Sequence, residues 1–314
     1  MLLARLHERL PSPRSAWRSG STPTAFVQKP NAPADKLNGV SSQKAKADRF
    51  LALHSEATPL LLPNPWNEGA ARLLASMGFG ALATTSSGHA ATLGRLDGSI
   101  TRDEALSHAE AMVAATDLPV SADLENCFAD EPAKVAETVR LASATGLAGF
   151  SVEDFTGRDG SPIYDRDLAA ARVAAAAAVA HSGPIHFVLT ARAENYLHGR
   201  PDLSDTIARL QAYQEAGADV LYAPGLVRIE DIRQIVASVD RPVNVLIREG
   251  GPTVAELTAA GVRRISVGGA FAFVALGAMI EAARELREQG THSFWDRAKA
   301  GQSAARTAFA NDHD

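Results

Sequence analysis

Among 314 residues the chain has a single cysteine, Cys127. One thiol excludes an intrachain disulfide framework and suits a reducing compartment. Long apolar runs are also missing: none approaches the ~18 residues that suggest a membrane span. The longest bland stretch, Val173 to Ala180, is alanine-rich and reads as a helix. Positive charge is neither in excess nor clustered. The formal charge is −5 and the pI near 6.0, and no group of Lys and Arg is interleaved with aromatics. That balance excludes a broad nucleic-acid surface, and the apolar pattern excludes a membrane partner. What remains is 46% hydrophobic and 21% charged, a composition able to bury a sizeable core. A prior of roughly one domain per 150 residues gives two domains, but single barrels of about 250 residues are common exceptions.

The first 30 residues differ in kind. They are rich in Arg, Ser and Pro, with Glu8 as their only acid. Those traits overlap with organellar transit peptides; an extension outside the folded unit is the blander explanation. Residues 1–42 are therefore set apart, residues 43–290 are expected to form the folded unit, and residues 291–314 a C-terminal helix and tail. The setting expected is cytoplasmic, with an organellar leader as the alternative.

From Lys44 onward one unit recurs: a short apolar run, polar or small residues, then an amphipathic segment. The runs are "PLLLPNPWN", "GALATTSSG", "PVSADLE", "GFSVEDF", "HFVLTARAE", "VLYAPG", "PVNVLI" and "RISVGG". The segments between them space apolar residues three and four apart, as in Val135, Val139 and Ala142. Several reach Gly, including Gly146, Gly217 and Gly261, where a left-handed cap costs least. Asp130 and Ser204 stand where N-caps are expected. The near-continuous apolar runs suit strands covered on both faces. Eight such units, roughly 30 residues apart, predict an α/β fold: a closed (β/α)8 barrel of the TIM type with an extra C-terminal helix.

Barrel enzymes build their sites at the C-terminal ends of the strands. The polar residues collected there are Asn64 and Asn67; Thr84, Ser86 and Ser87; Asp123 and Glu125; Glu153 and Asp154; Thr190, Arg192, Glu194 and Asn195; Tyr222; and Asn244. Strand alternation puts Asp123 and Glu125 on one side, with Glu153 ending the next strand. Converging carboxylates repel unless a proton or cation intervenes. An oxygen-rich, thiol-free set favours Mg²⁺. The competing explanation is that these acids cap helices or pair with arginines. Arg192 in the same mouth suits an anionic substrate held bidentately, or else a structural pair with Glu194 or Glu153. Mg²⁺ with Arg192 forms a clamp for a small 2-oxo acid.

The stretches "SADLENCF", "FSVEDF", "LTARAEN" and "TTSSGHAATLGRLDG" resemble the isocitrate lyase/phosphoenolpyruvate mutase superfamily, from about Pro59 to Gly290. The resemblance implies a Mg²⁺-dependent barrel acting on 2-oxo or 2-hydroxy acids through enolate-like intermediates. By position, Asp123 matches the metal-bound aspartate, Glu125 a second acid acting through water, and Glu153 the acid on strand four. Arg192 matches the substrate arginine, joined in substrate binding by Glu194, Asn195 and Asn244. Ser87 and Gly88 match a turn whose amides hold the substrate carboxylate, and Asp97 the aspartate orienting the metal shell. Lyases of the family carry a Lys-(Lys/Arg)-Cys-Gly loop after strand four; here it is "FTGRDGSPIYD". The lyase acid after strand six is replaced by "YAPG". Substitutes for proton handling are Tyr164, Cys127 and His198, with Tyr164 expected to fold over the site. Arg158 is the one group in that loop suited to a phosphonate. Phe294 and Trp295 on the C-terminal helix need cover, and relatives swap such a helix in forming dimers or tetramers. The expectation is a homo-oligomeric lyase for a small carboxylate. Phosphonopyruvate hydrolase or mutase chemistry is the alternative, and a non-catalytic 2-oxo acid binding protein a third reading.

Overall fold

The computed structural model describes residues 39–310. Apart from Gly39 to Ser42, the leader-like segment lies outside the described residues. All eight apolar runs form strands: β1 Leu60–Leu62, β2 Leu82–Ala83, β3 Val120–Asp123, β4 Gly149–Glu153, β5 Val188–Arg192, β6 Val220–Tyr222, β7 Val243–Leu246 and β8 Arg264–Ser266. Every pairing is parallel, in the order β1-β8-β7-β6-β5-β4-β3-β2. At the seam between β1 and β2, Ala83 N–H donates to Pro63 O at 3.1 Å. The Asn64 amide donates to Thr84 O there at 2.9 Å. Both faces of β4 and β6 are buried, which is why the runs carry no polar alternation.

The helices are α1 Gly39–Leu53, α2 Glu68–Ser76, α3 Ser86–Thr92, α4 Arg102–Ala114, α5 Pro132–Ser143, α6 Arg166–Ala180, α7 Leu203–Glu215, α8 Ile229–Ser238, α9 Val254–Ala259, α10 Ala270–Gln289 and α11 Trp295–Phe309. Their apolar stripes pack on the strands; Val135, Val139 and Ala142 of α5 are fully buried. Gly146, Gly217 and Gly261 follow helix ends with φ of 87°, 104° and 85°, as expected of left-handed caps. The starts correct the sequence reading at two points. Helix α5 has Glu131 at its N-cap, with no side-chain cap bond, and α7 is capped by Asp202 rather than Ser204. Asp130 is instead engaged by Arg158 and Tyr164. Asn67, placed in the mouth by sequence, caps α2 by accepting from Ala70 N–H at 2.8 Å.

Helix α1 was not among the sequence-derived units, although Ala47, Phe50 and Leu53 carry its spacing. These three close the N-terminal end of the barrel with Leu60, Leu62, Ala148, Val188 and Val220. Burying Phe50 contributes about 2–3 kcal/mol. Gly149 is required beneath it, since a Cβ there would lie 2.6 Å from Val188 O and 3.0 Å from the Phe50 ring. At the other end of the chain, α10 buries only Ala272, and α11 leans on α2 with Phe309 beside Gly69. No helix among the described residues is long and apolar enough to cross a membrane.

Candidate active site

The C-terminal ends of the strands surround a cavity enclosing about 180 Å³. Ser86, Ser87 and Asp97 stand along one side. Asp123, Arg192, Tyr222 and Asn244 project from the barrel, and Arg264 lies towards its closed end. The register explains the grouping. Asp123 pairs with Ser151, Glu153 with Arg192, Arg192 with Tyr222, and Tyr222 with Asn244. Acid and guanidinium are thus set on adjacent strands at one level.

Arg192 gathers three carboxylates. Its Nη1 donates to Asp123 Oδ1 at 2.7 Å and its Nη2 to Glu153 Oε2 at 3.0 Å; Nη2 and Nε both reach Glu194 Oε1 at 2.9 Å. Burial acts to lower the Arg192 pKa, but Glu153, Glu194 and Asp123 hold it well above the usual value. Burial drives the Glu153 carboxyl up, against the attraction of Arg192. Asp123 also accepts from the Ser86 N–H at 3.2 Å. Partial desolvation raises Asp97, opposed by a hydrogen bond from Ser86 and reinforced by Asp123.

Glu125 reaches the mouth by a route that strand alternation does not describe. Strand β3 ends at Asp123, and Glu125, Cys127 and Phe128 have φ of 49°, 58° and 57°. Left-handed backbone costs a non-glycine residue roughly 1–2 kcal/mol. Arg172 of α6 holds this turn. Fully buried, it donates to Glu153 O and Ala129 O at 2.9 Å each, and to Asn126 O. The sequence reading passed over Arg172; the available signal was one arginine beside an otherwise alanine-rich run. Glu125 faces an adjoining pocket with Asp123, His89 and His108. Its Oε1 is buried without a hydrogen-bond partner. Burial first, then Asp123 and Asp97, raise its pKa to about 8, opposed by Arg192.

Asp123, Glu153 and Glu194 thus hold the guanidinium, and Asp97 and Glu125 stand near Asp123 without touching that guanidinium. The donors are all oxygen, acids outnumber the cation among them, and one buried oxygen, Glu125 Oε1, lacks a partner. These residues fit a hard divalent cation such as Mg²⁺.

Several expected site residues turn elsewhere. Gly88 sits inside α3, where its N–H donates to Thr85 Oγ1 at 3.3 Å. A Cβ on Gly88 would lie 2.6 Å from Thr85 Cγ2 and 3.0 Å from Trp66, so packing demands glycine there. Ser87 does line the cavity, its hydroxyl 3.1 Å from that of Thr85. Glu194 is buried behind Arg192 and orients it. Asn195 points away and donates to Asp205 at 2.6 Å. Asn244 lines the cavity and donates to Ser266 Oγ at 3.0 Å. Tyr164 does not cover the site. It is buried between Arg172, 4.1 Å from its ring, and Asp130, which accepts from its hydroxyl. Burial and that bond raise the phenol to about 12. Cys127 is fully buried in the core, which pushes its thiol to about 12. His198 stacks on Phe155 at 3.7 Å, with Nε2 3.6 Å from Glu194. Asp154 is a prop: it accepts from Tyr213 at 2.6 Å, Glu194 N–H at 2.8 Å and Arg209 at 3.1 Å.

A parallel eight-stranded barrel with its polar side chains gathered at the C-terminal strand ends has the architecture of the TIM-barrel enzymes. Residues 50–287 match the family model described as phosphoenolpyruvate phosphomutase, and the chain belongs to that family within the phosphoenolpyruvate mutase/isocitrate lyase superfamily. A crystal structure from Burkholderia cenocepacia J2315, provisionally called a lyase/mutase, is 52% identical over 85% of this chain and 96% of its own, with a TM-score of 0.82. The 2-methylisocitrate lyase of Halalkalibacterium halodurans is 29% identical, covering 68% of this chain and 71% of that protein. A crystal structure of 2,3-dimethylmalate lyase is 27% identical over 80% of this chain and 89% of its own, with a TM-score of 0.71.

Proposed function

We propose that this protein is a Mg²⁺-dependent lyase that breaks a carbon–carbon bond, by retro-aldol cleavage or decarboxylation, in a small 2-oxo or 2-hydroxy acid. The observation that carries this is the oxygen-only cluster at the cavity wall: Asp123 stands between the cavity, which it shares with Arg192, and the adjoining pocket, which it shares with Glu125 and its buried, unpartnered oxygen. Asp123, Glu125 and Glu153 would hold the ion, with Asp97 orienting its shell. Bound there, Mg²⁺ supplies the positive charge that stabilises an enolate on the substrate. Arg192 donates from Nη1 to the substrate carboxylate, exchanging its bond to Asp123 for it. Glu194, tied to the Arg192 Nε, keeps the guanidinium in place during that exchange. Ser87 at the rim offers a hydroxyl to the same carboxylate. The product side needs no cysteine, because solvent can protonate the enolate. A single buried thiol supports a cytoplasmic setting.

Carbon–carbon chemistry is favoured over phosphonate chemistry by Arg158. The only cation of the strand-four loop is committed to Asp130 at 2.8 Å, outside the residues lining the cavity. The test is pyruvate or glyoxylate release, with and without Mg²⁺, from oxaloacetate, methylated malates, isocitrate, methylisocitrate and phosphonopyruvate. Metal-dependent turnover of a carboxylate, lost in Arg192→Ala, is the expected result. Turnover of phosphonopyruvate alone would replace this reading with carbon–phosphorus chemistry. Silence throughout, with oxaloacetate still raising the melting temperature, would make the protein a 2-oxo acid binder.

A further inference from the structure

The cavity contains a second guanidinium that the acidic cluster does not use. Arg264, the first residue of β8, is 4% exposed and lines the same cavity as Arg192. The register runs from Arg192 to Tyr222 to Asn244 to Arg264 across four adjacent strands. All four side chains therefore face one interior, with Tyr222 and Asn244 between the two cations.

Arg264 differs from Arg192 in its company. Its Nε donates to Asn244 Oδ1 at 3.1 Å and its Nη1 to Thr190 Oγ1 at 3.0 Å. Nη1 also lies 3.5 Å from His54 Nε2. His54 is neutral: burial and the charge of Arg264 hold its pKa at about 3. With Nδ1 donating to Phe50 O at 2.8 Å, its Nε2 can only accept. Every hydrogen-bond partner of Arg264 is thus uncharged. Among the described residues, no carboxylate is paired with it. Burial, with Arg192 nearby, lowers Arg264 to about 9. An unpaired buried charge is expensive, and one that lines a cavity is most readily compensated by what enters the cavity.

Resting on the 2-oxo or 2-hydroxy acid reading above, we propose that Arg264 is a second anion site at the closed end of the cavity. The substrate would carry an acidic group at each end, one held by Arg192 beside the acidic cluster and the other by Arg264. Thr190 and Asn244 hold the guanidinium in position from either side, and Ser266 completes a polar lining at this level. A monoacid leaves Arg264 as uncompensated as it is without ligand, so the residue selects dianions by the pairing it adds for them.

The test compares malate with 2-hydroxybutyrate, which differ by a carboxylate in place of a methyl group. Their binding is measured by calorimetry with Mg²⁺ present. Wild type should bind malate about tenfold or more tightly than 2-hydroxybutyrate, as expected for a hydrogen-bonded charge pair. In Arg264→Met that ratio should fall towards one with 2-hydroxybutyrate binding unchanged, and Arg264→Lys should keep part of it. Arg192→Ala should weaken both acids alike. The ligand-free Arg264→Met protein should melt no lower than wild type, because an unpaired buried cation has been removed. A ratio unchanged in Arg264→Met, or a clear drop in its melting temperature, would make Arg264 structural and overturn the proposal alone. If wild type bound neither acid, the hydroxy-acid reading itself would fall, and the second anion site with it.

Discussion

Arg192 touches three carboxylates that are themselves largely shielded from water, and this sets what its loss should do. Arg192→Met leaves Asp123, Glu153 and Glu194 without their cation, and breaking a buried pair costs about 3–5 kcal/mol. Urea unfolding should show that loss, and added Mg²⁺ should restore part of it; a variant as stable as wild type would mean that the acids never relied on Arg192. Glu125 gives a prediction with a pH sign. Its folded pKa of about 8 lies above the ordinary value of 4.5, so ionising it opposes folding. The cost grows as pH rises from 4.5 to 8 and then levels off. Glu125→Gln should therefore stabilise the metal-free protein at pH 9 by on the order of 2–4 kcal/mol, and by little at pH 5. The same change should weaken Mg²⁺ binding about tenfold. Melting curves at both pH values and a Mg²⁺ titration check the two halves.

At the scale of elements, the turn after β3 is the most unusual piece of backbone. Three non-glycine residues with positive φ within four positions persist only because surrounding structure imposes them. Arg172 supplies much of that constraint through three carbonyls. Arg172→Met should loosen the turn and lower Mg²⁺ affinity about tenfold or more, while the helix content by circular dichroism stays unchanged. Unaltered affinity would show that the turn holds itself. His54, just after helix α1, carries a second pH effect. Its folded pKa of about 3 lies below the ordinary 6.5, so its contribution is complete above pH 6.5 and is lost as pH falls towards 3. At pH 5 the cost is roughly 2 kcal/mol. His54→Gln should flatten the acid limb of a stability profile between pH 6.5 and 4; a profile as steep as wild type would assign the acid limb to other groups.

For the whole molecule, the telling surface is the apolar face of α10. Phe273, Val274, Met279 and Leu286 are each more than half exposed on a 20-residue helix. An apolar face of this kind, with Trp295 also exposed, is the sort that a second subunit covers, and a homo-oligomer is the expectation. Light scattering on the purified protein should give a dimer or tetramer. Val274→Glu combined with Met279→Glu should shift it to a smaller species with an intact circular dichroism spectrum. A monomeric, well-behaved wild type would sink this expectation.

Local periodicity made the eight strand–helix units readable from the sequence, because a strand buried on both faces and a helix buried on one each impose their own residue pattern. Strand ends followed from those units, so the residue pattern alone places Asp123, Glu153 and Arg192 in one mouth. Periodicity stops being informative where the backbone leaves regular structure. Glu125 lies past the end of β3 in a left-handed turn, and Asn195 past the end of β5, where its amide turns to Asp205. Buried charges escaped for a different reason. Arg172 and Arg264 look like ordinary surface candidates in sequence, yet their partners lie 43 and 74 residues away, at Ala129 and Thr190. The residue pattern by itself determined a parallel barrel with an acidic mouth. Only closure of the barrel decided which cations stand inside it and which of them lacks a counterion, because that depends on side chains brought together across strands distant in the chain.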